Sequence, residues 1–178
     1  MMSSIYQEQG DYSNAFASYQ KALDILKKNQ ITDSDVASCY SGIGYLYLSQ
    51  QNYYKALEYC NKALEIYERV NGPFSLEAAG IYSTIGIIYI FQQNYDKSLE
   101  YHQKSLFIRE RVYGPDHPDV AISYNNLGWV YENQGDYSRA IEYYQKSLAI
   151  RERVLGPDHP YTQKTEEVIN HLKKQLGQ

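Results

Sequence analysis

The residues in this 178-residue chain that could do chemistry are four histidines, two cysteines and a spread of carboxylates. His117 and His159 hold the same place in two copies of Gly-Pro-Asp-His-Pro. A metal site needs more converging ligands than one imidazole per turn. The pattern points instead to turn chemistry, with Asp116 and Asp158 bonding local backbone. His102 falls at an inward helical position, where a hydrogen-bonded structural histidine is expected, and His171 falls on a solvated face. Cys39 and Cys60 lie within apolar helical faces and read as buried free thiols in a reducing compartment. The carboxylates mostly have helical partners. Glu58–Lys62, Glu100–Lys104, Glu142–Lys146 and Glu65–Arg69 are spaced i, i+4 with the acid first, which makes a solvated helix face and not an acid/base pair. No Ser/His/Asp grouping, Gly-rich phosphate loop or ligand cluster stands out. No catalytic residue, metal or cofactor is therefore expected.

Composition narrows the partners. Net charge is −4, which argues against a phosphate-binding surface and hence against nucleic acid. No apolar run approaches the roughly 18 residues of a membrane span. Met1–Gln9 has neither a basic region nor an apolar stretch, so it does not read as a signal peptide. A cytoplasmic location is expected. The 21 tyrosines supply large side chains with a polar tip, which suits thin layers where few groups are fully buried.

The elements that position these residues recur. Gly44, Gly86 and Gly128 are 42 residues apart, as are Tyr53, Tyr95 and Tyr137, with Tyr12 one step earlier at a spacing of 41. Each period holds two amphipathic helical patterns across a short polar turn. Expected pairs are Asp35–Gln50 with Tyr53–Val70, Glu77–Gln92 with Tyr95–Tyr113, and Asp119–Gln134 with Tyr137–Leu155. Tyr12–Asn29 is preceded by a Gln9-Gly10-Asp11 turn signal and by the tail of a mostly missing first helix. Thr32 or Ser34 is placed to cap the helix that follows. Gly72 suits a left-handed cap, and Pro118 suits a first helical turn. The expected units are 3–34 (truncated), 35–76, 77–118 and 119–160, with a capping helix in 161–178, all in one array. In that last helix Gln163, Glu166, Asn170 and Lys173 replace Ala121, Tyr124, Gly128 and Tyr131. Its outer side is therefore polar, while Val168, Ile169, Leu172 and Leu176 cover the preceding pair, as an array end requires. The C-terminus reads as a real end and the N-terminus as a cut. Phe16, Tyr19 and Leu23 are expected to be partly uncovered there, favouring self-association.

The spacing of Leu127, Gly128, Tyr131, Ala140, Tyr143 and Tyr144 resembles the tetratricopeptide repeat. Ile43, Gly44, Tyr47, Ala56 and Ala63 match it too, as do Ile85, Gly86 and Tyr89. The long period, Gly-Pro-Asp-His-Pro and Arg-Glu-Arg-Val resemble the kinesin light chain variety. The resemblance implies an all-α fold, a right-handed α-solenoid of antiparallel helix pairs with a C-terminal capping helix. It also implies close pairing at Gly44, Gly86 and Gly128 against Ala56, Ser98 and Ala140.

In a resembling array the first helix of each pair lines a concave groove. On that wall stand Ser38, Ser41, Tyr45 and Leu48, then Ser83, Ile87 and Ile90, then Asn125, Asn126, Trp129 and Glu132. Trp129, the only tryptophan, is the leading anchor for a bound peptide. The first helices carry no Lys or Arg. The basic groove residues of relatives that hold a C-terminal carboxylate or an acidic cargo peptide are thus lacking. An acidic ligand would be desolvated without a cation. The expected function is a non-catalytic scaffold for a protein or peptide partner, neutral or mildly basic, with apolar anchors. The alternative is a structural spacer or self-association segment with no ligand of its own.

Overall fold

The computed structural model describes the backbone of residues 2–28 and 33–177 and the side chains of 14–26, 28 and 33–177. Among these residues all regular structure is helical. The elements are α1 (Met2–Lys28), α2 (Asp33–Ser49), α3 (Tyr53–Asn71), α4 (Leu76–Phe91), α5 (Tyr95–Tyr113), α6 (Pro118–Asn133), α7 (Tyr137–Leu155) and α8 (Pro160–Gln175). Contacts divide the chain into two compact units, residues 1–84 and 85–178.

In the first unit α1 packs on α2, and α2 packs on α3. α1 runs unbroken through Gly10, so the turn expected at Gln9-Gly10-Asp11 does not form. A mid-helix glycine costs only about 1 kcal/mol. Leu23 is buried, while Phe16 and Tyr19 are half-buried. Phe16 meets Tyr47 edge-on with ring centroids 5.7 Å apart. Thr32 lies outside the described residues, and Ser34 falls inside the first turn of α2 and not ahead of it.

In the second unit α5, α6, α7 and α8 pack in succession, and the C-terminal part of α4 packs on α5 through Gly86. The three turns inside the pairs use one code. Asn52, Asn94 and Asp136 each accept a hydrogen bond from the backbone N–H three residues on, at 3.2, 3.3 and 3.0 Å. That satisfies a helix N-terminus that would otherwise leave donors bare. The residue before each cap has a positive φ: Gln51 at 59°, Gln93 at 58° and Gly135 at 78°.

Between pairs, Gly72, Gly114 and Gly156 have φ of 82° to 86° with ψ of 160° to 167°. This is an extended positive-φ conformation that side chains all but forbid, not the left-handed helical cap the sequence suggests. Pro118 and Pro160 open their helices, where a missing N–H costs nothing. The cap residues are His117 and His159. Their Nδ1 atoms accept from the N–H of Asp119 and Tyr161 at 3.1 and 3.2 Å. Ser75 does the equivalent for Ala78 at 3.2 Å. The expectation that Asp116 serves the local backbone is corrected: it pairs with Arg153 instead.

One side of α8 is polar and the other is packed. Gln163, Glu166 and Asn170 are exposed, while Ile169 and Leu172 are buried. Leu176 does not join that covering face and is 39% exposed.

Candidate functional site

The small-residue contacts set the geometry. An ideal Cβ on Gly44 would lie 2.8 Å from Cys60 Sγ, one on Gly86 would lie 2.7 Å from His102 Nε2, and one on Gly128 would lie 2.9 Å from the Tyr144 ring. Ala56, Ser98 and Ala140 are fully buried beside these contacts. Ser98 adds a hydrogen bond from its hydroxyl to the Gly86 carbonyl at 2.8 Å. The three facing residues occupy one repeat position but differ in chemistry. Tyr144 donates to Glu132 at 2.6 Å, and burial pushes its hydroxyl pKa up, with Glu132 adding to the shift. The position of Glu132 is Ile90 in the preceding repeat, so His102 has no such acceptor. His102 is 1% exposed and neither ring nitrogen has a hydrogen-bond partner. The hydrogen-bonded histidine expected from sequence is therefore a buried, unpaired one. Burial, with Arg109 second, pushes its pKa down to about 4. Cys60 is likewise buried, and burial pushes its thiol up to about 12.

Arg-Glu-Arg-Val joins one pair to the next. Arg109 donates to the Asp119 carbonyl at 3.3 Å and to Ser123 Oγ at 2.9 Å. Arg151 repeats this on the Tyr161 carbonyl at 3.0 Å and on Thr165. Tyr124 donates to Glu110 at 2.6 Å, and Tyr82 donates to Glu68 in the first unit. Burial, then Glu110, pushes the Tyr124 hydroxyl up to about 12. These inter-helix clasps were missed from sequence. Their signal is a Glu-to-Tyr spacing of 14 and an Arg-to-Ser/Thr spacing of 14, recurring with the period.

Of the helix-face ion pairs, Glu58–Lys62 and Glu100–Lys104 form at 2.6 and 2.7 Å. Arg69 reaches Asp33 at 3.1 Å, and Lys146 stands over the Tyr143 ring at 5.0 Å from its centroid. Stacked tyrosines with a cation above recur in each pair, as in Tyr131 and Tyr143 at 5.3 Å with Arg139 4.8 Å over Tyr131.

The wall residues separate by burial. In the first unit Tyr45 and Ser38 are exposed, and Ser41 and Leu48 are half-buried. Ser38 bonds the Tyr67 hydroxyl. Ser83 is buried. In the second unit Ile90 is buried, and Ile87, Asn125, Asn126, Trp129 and Glu132 are half-buried. Three of them come together: Asn125, Trp129 and Glu132 line a cavity of about 390 Å³ with Tyr144, Arg151 and Lys164. A second cavity, about 380 Å³, shares Trp129 and Glu132 and continues over Asn133, Tyr137 and His171. Trp129 also meets Phe91 edge-on at 5.9 Å. The first helices do lack cations, but the cavity does not, because α7 and α8 bring Arg151 and Lys164 to it. Among the described residues no group of three or more His, Cys, Asp or Glu is arranged to hold a metal ion. No described helix is long and apolar enough to cross a membrane.

A family model for the tetratricopeptide repeat matches residues 1–69, 35–93 and 77–153. The chain is a tetratricopeptide repeat protein. Its sequence matches none of the curated proteins. Among solved structures, this repeat protein is similar to BtubC (BKLC) from P. vanneervenii, with 25% identity and a TM-score of 0.86 over 98% of this chain and 70% of that one. It is similar in fold to a putative kinesin light chain from Podosopora anserina, at 15% identity and a TM-score of 0.76 over 99% of this chain and 84% of that one. It is similar in fold also to the apo form of RapI, at 20% identity and a TM-score of 0.80 over 99% and 62% of the two chains. The all-α solenoid fold and a protein-interaction scaffold role follow, and the neighbours in fold include kinesin light chain-like repeats.

Proposed function

We propose that this repeat protein is a non-catalytic scaffold whose α6, α7 and α8 hold an extended peptide segment of a partner. The observation that carries this is the position of Trp129. It is the one aromatic shared by two adjoining cavities, with Asn125 and Asn133 on either side to meet a peptide backbone. A half-buried tryptophan in a cleft rimmed by polar groups is the usual form of an interface anchor. The segment carries one or two bulky apolar side chains. It is close to neutral and not basic, because Arg151 and Lys164 line the same cavity as the single carboxylate of Glu132.

A peptide array probed with the whole chain, followed by titration of Trp129 fluorescence, tests the reading. Trp129→Ala is expected to remove most of the affinity, with weak dependence on salt. Unchanged binding by Trp129→Ala overturns the site. So does a best ligand that is strongly acidic and lost on adding salt. Capture of no segment at all favours the spacer reading.

A further inference from the structure

A third cavity of about 390 Å³ in the second unit adjoins the Trp129 site but is walled differently. Pro118, Ile122, Ile150, Val154 and Leu155 line it, with Arg151, His159 and Tyr161 completing the wall. Ile122, Val154 and Leu155 are each more than a third exposed. The walls are mostly apolar, and the volume holds on the order of a dozen non-hydrogen atoms at about 30 Å³ each.

Comparing the two repeats shows what Arg151 lacks. Arg109, one period earlier, bonds the backbone of Asp119; burial lowers its pKa, and the Asp119 carboxylate offsets part of that. Tyr161 stands at the position of Asp119 beside Arg151. Arg151 is half-buried and its bonds go to the neutral Tyr161 carbonyl and Thr165 hydroxyl. Among the described residues it forms no ion pair, and burial lowers its pKa. A partly desolvated guanidinium without an anion is costly, and its planar fork suits a carboxylate.

We infer that the cavity between Ile122, Val154 and Leu155 is a binding site for a small aliphatic carboxylate, its chain against those walls and its head on Arg151. This cavity shares Arg151 and Tyr161 with the Trp129 cavity but is not lined by Trp129. The ligand's charge supplies what Asp119 gives Arg109, and its chain covers apolar surface that the fold leaves open.

Calorimetric titration of the whole chain with octanoate and with octanol tests this. Octanoate is expected to saturate one-to-one, and octanol to bind about tenfold more weakly, the worth of one charge-assisted contact. Arg151→Met should abolish the preference for the acid. Arg151 also holds Tyr161 and Thr165, so a second variant keeps it. Ile122→Glu puts a carboxylate into the cavity and should lose octanoate binding with helical content and melting unchanged. Trp129→Ala should bind octanoate as the parent does. Equal binding of acid and alcohol overturns the inference, as does undiminished binding by Ile122→Glu. Capture of a peptide with an apolar C-terminal residue while octanoate stays inert overturns it as well.

Discussion

Gly86 and His102 approach so closely that a single added carbon at Gly86 would sit 2.7 Å from the imidazole Nε2. His102 is buried and cannot swing into solvent. Gly86→Leu is therefore expected to wedge α4 from α5 and cost about 1–3 kcal/mol or more. Gly86→Ala should show the same sign. Thermal denaturation checks this, and an unchanged melting temperature would remove Gly86 from the contact.

His102 makes stability depend on acidity. Its pKa in the fold is held down to about 4, below the unfolded value near 6.5. The neutral ring is what the fold accommodates. Its contribution is complete above about pH 6.5 and is lost as pH falls from there toward about 4, on the order of 3 kcal/mol in all. In urea titrations from pH 7 to 4 the parent should lose stability as pH falls, and His102→Met should lack that part of the loss. Parallel curves would contradict the assignment.

The turn residues predict a stabilising change. Gln51 and Gln93 hold positive φ where the third repeat has Gly135. A side chain there costs about 1–2 kcal/mol, partly offset by the greater unfolded freedom of glycine. Gln93→Gly should raise stability by about 0.5–1 kcal/mol. Gly135→Ala should lower it, as denaturant midpoints would record.

The first unit bears on self-association. Ile25 is 48% exposed and Phe16 and Tyr19 are half-buried, so apolar surface remains on α1. We expect concentration-dependent association that Ile25→Glu abolishes. Light scattering of a strict monomer at high concentration would refute it.

The fold was legible in the sequence because repeats state the same rule several times. Three glycines one period apart identify the close contact, and three Asn or Asp caps identify the turn. What could not be read were partners that differ between copies. Nothing in His102 alone shows that its acceptor position is Ile90, and Asp116 resembles a turn residue until Arg153 is brought to it from the next pair. The Trp129 cavity followed the same pattern. α6 supplied the residues expected, while Arg151 and Lys164 came from helices outside the presumed wall.

The Arg-Glu-Arg-Val clasps set the order in which the second unit comes apart. α6 is gripped twice by α5, through Arg109 and through the Tyr124–Glu110 bond. α8 is gripped by Arg151, but at the position of Tyr124 it carries Glu166, whose carboxylate has no hydroxyl to donate to Glu152. Peeling should therefore begin at α8, with its amide protons exchanging ahead of those of α6. Glu166→Tyr would restore the second grip and slow that release, making the last helix a lever for tuning how readily the protein opens from that side.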